Sequence, residues 1–179
     1  MRLMIMAAPL LLLAGCDDAP KVDKRASEAK QLTPGAYEVQ AKVVTLTATD
    51  KGKPASNAKP GDVTVLKGCV AADGTLDPSL LTEAGDKCTP TQSYARGAIL
   101  NIQYTCQRKG ADGSVNYSIN GEFTAKAFTA MATTGTSFST PDDYSLVRDL
   151  SAKRVGNCPP PGAAAPAAAV AAVGTPAKG

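Results

Sequence analysis

Few residues of this 179-residue chain could carry out chemistry. Histidine, the usual general base and a common transition-metal ligand, is absent. Its absence excludes a Ser-His-Asp triad, a Cys-His pair and a histidine-containing zinc site. Ser27 and Lys30 match the S-x-x-K motif, in which serine is a nucleophile, but the companion motifs do not occur. Both residues lie in a charged segment outside the expected domain, so we predict no catalytic residues there.

Three carboxylates, Glu38, Glu122 and Asp149, lie on candidate strands. Glycosidase-like chemistry needs two carboxylates that face each other roughly 5–9 Å apart. Glu38 and Glu122 occupy the polar positions of their alternating patterns, so we expect them to face solvent. An enzyme is therefore the least favoured class of function.

Two further motifs have residue types that occur in ligand sites. The segment that begins at Asp73 resembles a calcium loop only faintly, because its oxygen ligands do not continue at the required spacing. A turn followed by a helix cap at Asp77 explains it better. Arg148 interrupts an apolar alternation and could bind an anion if it faces inward, although we favour a snorkelling or locally paired side chain. We predict no metal and no cofactor.

The most specific motif is at the start of the chain. Residues 3–13 are apolar apart from Pro9, follow a single arginine and are too few to span a membrane. The segment Leu13-Ala14-Gly15-Cys16 resembles the bacterial lipobox. The resemblance implies a signal peptide over 1–15 and lipidation of Cys16 by a diacylglyceryl group and an acyl chain such as palmitate. More than one chain is needed for stable anchoring.

Asp17 and Asp18 follow the lipidated position. In enterobacterial lipoproteins an aspartate at the first of these positions retains the protein at the inner membrane. We therefore favour the periplasmic face of the inner membrane over the outer membrane of a Gram-negative cell envelope. The alternative is that both residues merely begin a solvated tether.

The other four cysteines predict two disulfides. They are Cys69, Cys88, Cys106 and Cys158, an even number in an exported chain, with three possible connectivities. Their wide spacing does not suit a zinc site. We favour Cys69–Cys88 with Cys106–Cys158, because the first bridge would close an excursion between two strands. The main competing arrangement is Cys88–Cys106 with Cys69–Cys158.

Composition divides the chain into four parts. Residues 1–15 form the signal peptide, 16–32 the lipidated cysteine and tether, 33–158 the domain, and 159–179 a Pro/Ala-rich tail that we expect to be disordered. Between residues 31 and 158, thirteen lysines and arginines face twelve acidic residues. No basic stripe is present, so nucleic acid is not an expected partner.

The domain has the pattern of a β protein. Clear period-two alternation occurs at 100–106 and 115–123, with weaker strand patterns at 37–43, 63–70, 126–138 and 144–155. Hairpin signals lie at 96–97, 110–113 and 140–142. A short helix is predicted between an Asp77 cap and Gly85. We predict a mainly β fold: an antiparallel meander of about seven strands in a curved sheet or open barrel, with one short helix after strand 2.

The domain also resembles a family of small exported proteobacterial proteins classed as a domain of unknown function. Its P-G-x-W-E-like opening is matched by residues 34–38, with Tyr37 in place of tryptophan, and its closing S-G-K-R-x-G-x-C motif is nearly matched by 151–158. The order of the cysteines agrees as well. The resemblance covers residues 33–158 and implies a four-cysteine β domain but no activity.

Together these features predict a non-enzymatic, membrane-anchored envelope lipoprotein whose domain binds a partner protein or small ligand. The alternative is a lipocalin-like carrier that holds a small hydrophobic molecule inside its curved sheet. A large apolar interior cavity would favour the carrier, and a filled interior would count against it.

Overall fold

The computed structural model of the protein describes residues 30–159. The predictions for the signal peptide, Cys16, Asp17, Asp18, Ser27 and the tail concern residues outside this range. Within it the chain is almost entirely β-structure. The strands are β1 (Gly35–Ala48), β2 (Val63–Val70), β3 (Asp86–Arg96), β4 (Ile99–Arg108), β5 (Gly113–Phe123), β6 (Ala127–Phe138) and β7 (Tyr144–Gly156). No helix in this range is long and apolar enough to cross a membrane.

The predicted mainly β fold is confirmed. The strands form one curled half-barrel sheet in the order β2-β1-β7-β6-β5-β4-β3, with every neighbouring pair antiparallel. Along each central strand, buried apolar residues alternate with more exposed polar ones. The period-two pattern thus separates a buried inner face from an exposed outer face.

The hairpins confirm the turn signals. At the β3–β4 turn, Gly97 and Ala98 both have positive φ, at 60° and 66°. Two consecutive positive φ values are typical of a type I′ hairpin turn, whose twist matches that of the paired strands.

The connection from β2 to β3 differs from a simple meander. The strand order begins with β2 and ends with β3, so these two strands form the opposite edges of the sheet. The antiparallel pairings also make them run in the same direction. The chain must therefore travel back from the end of β2 to the start of β3. It does so through residues 71–85, the crossing segment, which passes over the inner face.

The crossing segment contains the predicted helix, which is shorter than expected. It is a 3₁₀ helix over Pro78–Leu80 that ends at Leu81 rather than near Gly85. The N-cap prediction is confirmed, because the Asp77 side chain accepts a hydrogen bond from the Ser79 N–H at 2.9 Å. Leu80 and Leu81, which are adjacent, are both fully buried, as the sequence predicts.

The crossing segment fills the inner face. Leu76, Leu80 and Leu81 belong to the same hydrophobic cluster as Ile102 and Ile119 from the central strands. All five side chains are at most 2% exposed. The space that a lipocalin-like carrier would need for its ligand is occupied by the chain itself.

Two disulfides are confirmed, but the connectivity that we favoured is wrong. Cys69 at the end of β2 is bonded to Cys158 beyond β7, and Cys88 on β3 is bonded to Cys106 on β4. Cys88 and Cys106 are directly opposite each other in the β3–β4 register. A Cys69–Cys88 bridge would join the two opposite edges of the sheet. The competing arrangement is therefore the one that the topology allows.

Candidate functional site

Charged and phenolic side chains from five elements meet at one end of the inner face, and we call them the ionic cluster. They are Glu83 of the crossing segment, Asp86 of β3, Arg108 of β4, Tyr117 of β5 and Tyr144 of β7. Buried titratable groups with several charged partners are the usual starting point in a search for an active site.

Arg108 is the centre of the ionic cluster. Its Nε and Nη2 donate to the two carboxylate oxygens of Asp86, each at 2.8 Å, in the bidentate geometry that makes such pairs strong. Nη2 also donates to Glu83 Oε2 at 2.5 Å, and Nη1 donates to the hydroxyl of Tyr144. The Asp86 side chain is completely buried. Within residues 30–159, Arg108 is the basic side chain that pairs with Asp86 and compensates its charge.

The two tyrosines complete the hydrogen bonding. The Tyr117 hydroxyl donates to Asp86 Oδ2 at 2.5 Å and accepts from the Glu83 N–H at 3.1 Å. The Tyr144 hydroxyl donates to Glu83 Oε2 at 3.1 Å. Each contact joins the sheet to the end of the crossing segment or to the strand that follows it.

The pKa shifts oppose proton transfer near neutral pH. The pKa of Arg108 lies above its ordinary value, chiefly because of its hydrogen bonds to Asp86. Burial and then the negative charge of Glu83 raise the pKa of Tyr117 and bring that of Tyr144 to about 12. The arginine stays charged and the phenols stay protonated, so none of these three groups can act as a general base. The cluster is a structural clamp on the crossing segment.

Arg148 faces inward, next to the ionic cluster. It is only 4% exposed, its Nη2 donates to the Leu81 carbonyl at 2.9 Å, and its guanidinium lies 5.9 Å from the Tyr117 ring centre. The side chain therefore pairs locally with the crossing segment and does not snorkel at an edge. Its Nε and the hydroxyl of Thr134, also on the inner face, have no hydrogen-bond partner within the described residues.

The outer face carries the accessible features of the sheet. One depression, of about 550 Å³, crosses β1, β7, β6 and β5. Two cross-strand rows line it. The register gives them as Gln40–Ser151–Thr129–Glu122 and Lys42–Asp149–Met131–Asn120. Met131 stands in the centre of the second row and is 51% exposed. This mixture of charged, polar and apolar groups is typical of a recognition surface.

A second depression, of about 330 Å³, lies further along the same face over β3 to β6. Its outward side chains are all hydroxyls or amides, apart from one glycine. They are Thr91, Gln103, Thr105, Asn116, Ser118, Thr133 and Gly135. None of them carries a formal charge. The two depressions share β5 and β6, where Ser118 is next to Asn120 on the same face.

The remaining candidate residues lie apart from the ionic cluster. Glu38 is paired across β1 and β2 with Lys67, at 3.9 Å. Glu122 and Asp149 are exposed on the outer face, where both line the larger depression. Asp73 accepts the Thr75 N–H at 2.9 Å, which forms the expected turn and lowers its pKa. Within residues 30–159 no group of three or more His, Cys, Asp or Glu side chains could hold a metal ion.

The sequence analysis missed the ionic cluster. One signal was available: Leu100, Ile102, Tyr104 and Cys106 alternate inward, and Arg108 continues that phase. The partners of Arg108 could not be found in the same way, because they come from four other elements whose register depends on the whole sheet.

The fold and its two disulfides place the chain among cysteine-stabilised all-β domains. A family model described as "Protein of unknown function (DUF3617)" matches residues 32–158, which is more than half of the chain. The chain belongs to this family. No curated protein and no solved structure matches it significantly.

Proposed function

We propose that the protein is a lipoprotein of the bacterial cell envelope, anchored through Cys16 and facing the periplasm, whose β domain binds an envelope partner through its outer face. The observation that carries the proposal is the contrast between the two faces. The inner face is filled by the crossing segment and held by the hydrogen-bonded ionic cluster, whereas the outer face has an open, mixed depression around Met131. This function is non-enzymatic.

The filled inner face also supports the surface-binding module over the carrier. A hydrophobic ligand would have to displace three buried leucines of the crossing segment and break the bonds that hold it. No observation favours the carrier over the surface-binding module. The disulfides suit the oxidising periplasm that the proposal requires.

The anchor is tested by Cys16→Ser. We expect the wild-type chain to fractionate with membranes and to carry lipid in its mass spectrum, and the variant to lose both properties. Asp17→Ser with Asp18→Ser tests the sorting step, because the anchored protein should then move from the inner to the outer membrane fraction. Unchanged membrane fractionation of the Cys16 variant would contradict the anchor.

The binding face is tested by photo-cross-linking in living cells. A benzophenone amino acid placed at Met131, in the centre of the outer face, should give a discrete cross-linked product. The same probe at Lys109, exposed beyond the end of β4, should not. Equal products from both probe positions, or none from either, would refute the outer face as the binding surface.

A further inference from the structure

The side chains over β3, β4 and β5 form an ordered ladder of amides on the outer face. Gln92 Nε2 donates to Asn101 Oδ1 at 2.9 Å, Asn101 Nδ2 donates to Asn120 Oδ1 at 2.8 Å, and Asn120 Nδ2 donates to Ser118 Oγ at 3.3 Å. The ladder includes a second row of hydrogen bonds, which links Thr105, Asn116 and Ser114. These hydrogen bonds, between neighbouring strands and within β5, therefore fix the orientation of the side chains.

The ladder leaves half of its hydrogen-bonding capacity for a ligand. An amide side chain has two donor hydrogens and two acceptor sites. Asn101, Asn116 and Asn120 each use one of each in the ladder bonds, which leaves one donor hydrogen and one acceptor site of each amide outside these bonds. Because the ladder already orders these side chains, binding costs less conformational entropy than it would for free surface amides.

The charge of this region selects the class of ligand. None of the side chains that line the smaller depression carries a formal charge, and the adjoining ladder residues Gln92, Asn101 and Asn120 are neutral amides. A nucleic acid or another polyanion would need basic groups there, and a protein partner would need a more apolar centre. A neutral chain whose groups both donate and accept hydrogen bonds fits the surface, and hydroxyl and acetamido groups have this property.

An exposed aromatic ring lies beside the ladder. Tyr94 is directly opposite Asn101 in the β3–β4 register and is 46% exposed, although it is a large hydrophobic side chain. Tyrosine offers a rigid apolar face with a polar tip at little entropy cost. A sugar ring presents one apolar C–H face with polar groups around its rim, so it can pack on Tyr94 while its substituents bond to the amides.

We propose that the amide ladder and Tyr94 bind a neutral, N-acetylated glycan strand, supplied by the cell wall. This proposal rests on the periplasmic binding function given above and deepens it. The ladder amides bond to the hydroxyl and acetamido groups of successive sugars, and Tyr94 packs against one ring. Asn120, opposite Met131, marks the border between this site and the larger depression, and the charged residues Lys42 and Asp149 lie beyond that border.

The first experiment uses a soluble probe. The mature chain in detergent is titrated with the hexamer of N-acetylglucosamine and followed by NMR of the side-chain amides. We expect shifts at Asn101, Gln103, Asn116 and Asn120. Asn116→Ala and Tyr94→Ala should each weaken binding about tenfold, because each removes one specific contact. Both residues are exposed, and unchanged thermal unfolding of the variants would show that the fold is intact.

Matched controls locate the site and identify its chemistry. Lys42→Ala, on the charged half of the same face, should leave the affinity for the hexamer unchanged. Heparin, a polyanionic glycan, should produce no shifts at the ladder amides. Loss of binding in the Lys42 variant, equal shifts with heparin, or no shifts with the hexamer at millimolar concentration would each overturn the glycan proposal.

The second experiment separates this inference from the general binding function. The Met131 cross-linked product should collapse in size when a glycan-cleaving wall hydrolase is added, and the mature chain should sediment with purified wall sacculi. A product that resists the hydrolase and yields peptides of a second protein in its mass spectrum would identify a protein partner, which refutes the glycan and leaves the outer-face function standing. Absence of both a product and sedimentation would refute both proposals.

Discussion

Arg108 and Asp86 show how a small β domain retains a buried charge pair. A carboxylate with no solvent exposure is costly to bury unless its charge and lone pairs are satisfied. Here one guanidinium satisfies both oxygens, and Tyr117 adds a third hydrogen bond. Glu83 belongs to the crossing segment and Asp86 to the strand that follows it, so the contacts of Arg108 also hold that segment on the sheet. The ion pair therefore joins three parts of the chain: the crossing segment, β3 and β4.

Removal of Arg108 should therefore be strongly destabilising. Arg108→Leu leaves the Asp86 carboxylate buried without its cation, and we expect the free energy of unfolding to fall by about 3–5 kcal/mol. Urea denaturation of the full chain measures it. Lys109→Leu, at the exposed neighbouring position, is the control and should change stability by less than about 0.5 kcal/mol. A loss below about 1 kcal/mol in the Arg108 variant would show that the cluster is not a structural clamp.

Tyr104 gives the domain a stability that depends on pH. Burial, and secondarily the charge of Asp77, raises the pKa of its phenol to about 12, from an ordinary value near 10. The unfolded chain ionises first, so the stabilising contribution is complete below pH 10 and is lost as the pH rises through 12. Tyr104→Phe should flatten the fall in unfolding free energy between pH 10 and 12. Tyr94→Phe, which changes an exposed ring, is the control, and an equally steep fall in both variants would contradict this assignment.

At the scale of elements, the crossing segment converts an open sheet into a closed core. A curled sheet with one apolar face needs a second layer to cover that face. The domain has no long helix in its described range, so the connection between β2 and β3 supplies the layer with Leu76, Leu80 and Leu81. The two edge strands run in the same direction, and this geometry obliges the connection to return over the inner face.

The elements differ in how far the sequence predicts them. Strands such as Val115 to Phe123 are predicted because alternation is a local property and their neighbours do not change it. The β1–β7 pairing joins residues about a hundred positions apart and depends on the closure of the whole sheet. The disulfide pairing was predicted wrongly for the same reason, since Cys69 and Cys88 are near in sequence but lie at opposite edges. The outer depressions likewise appear only when the rows of neighbouring strands are aligned.

A truncation in the crossing segment tests its role as the second layer. Leu80→Ala removes a fully buried side chain and leaves a cavity, so we expect a loss of about 2–5 kcal/mol in unfolding free energy. Ile99→Ala removes a similar aliphatic side chain that is 54% exposed, and it should cost less than about 1 kcal/mol. Chemical denaturation measures both. Equal losses would mean that the crossing segment does not pack as a core element.

At the scale of the whole molecule, the two disulfides hold the two ends of the crossing region. The Cys69–Cys158 bridge ties the end of β2 to the chain beyond β7, and the Cys88–Cys106 bridge ties β3 to β4. The crossing segment lies between Cys69 and Cys88, so each of its flanks is covalently joined to a different part of the sheet. This arrangement compensates for a core that contains no tryptophan and three phenylalanines at most.

Trypsin digestion without reduction tests the connectivity directly. Cleavage sites separate the four cysteines into different peptides, because Lys87, Arg96, Arg108 and Arg154 lie between successive cysteines and Lys67 precedes the first. We expect the peptide 68–87 to be linked to the peptide that begins at residue 155, and 88–96 to be linked to 97–108. A link between 68–87 and 88–96 would instead support the Cys69–Cys88 arrangement and would require a different order of strands.

The two bridges should also contribute unequally to stability. In the chain-entropy model, a bridge with a sequence separation of 89 contributes about 4.5 kcal/mol, and one with a separation of 18 contributes about 3 kcal/mol. Replacing both cysteines of a bridge by alanine avoids a free thiol. The Cys69/Cys158 double variant should therefore lose more unfolding free energy in urea than the Cys88/Cys106 variant. The reverse order would show that the β3–β4 edge, and not the closure of the crossing region, limits the stability of the domain.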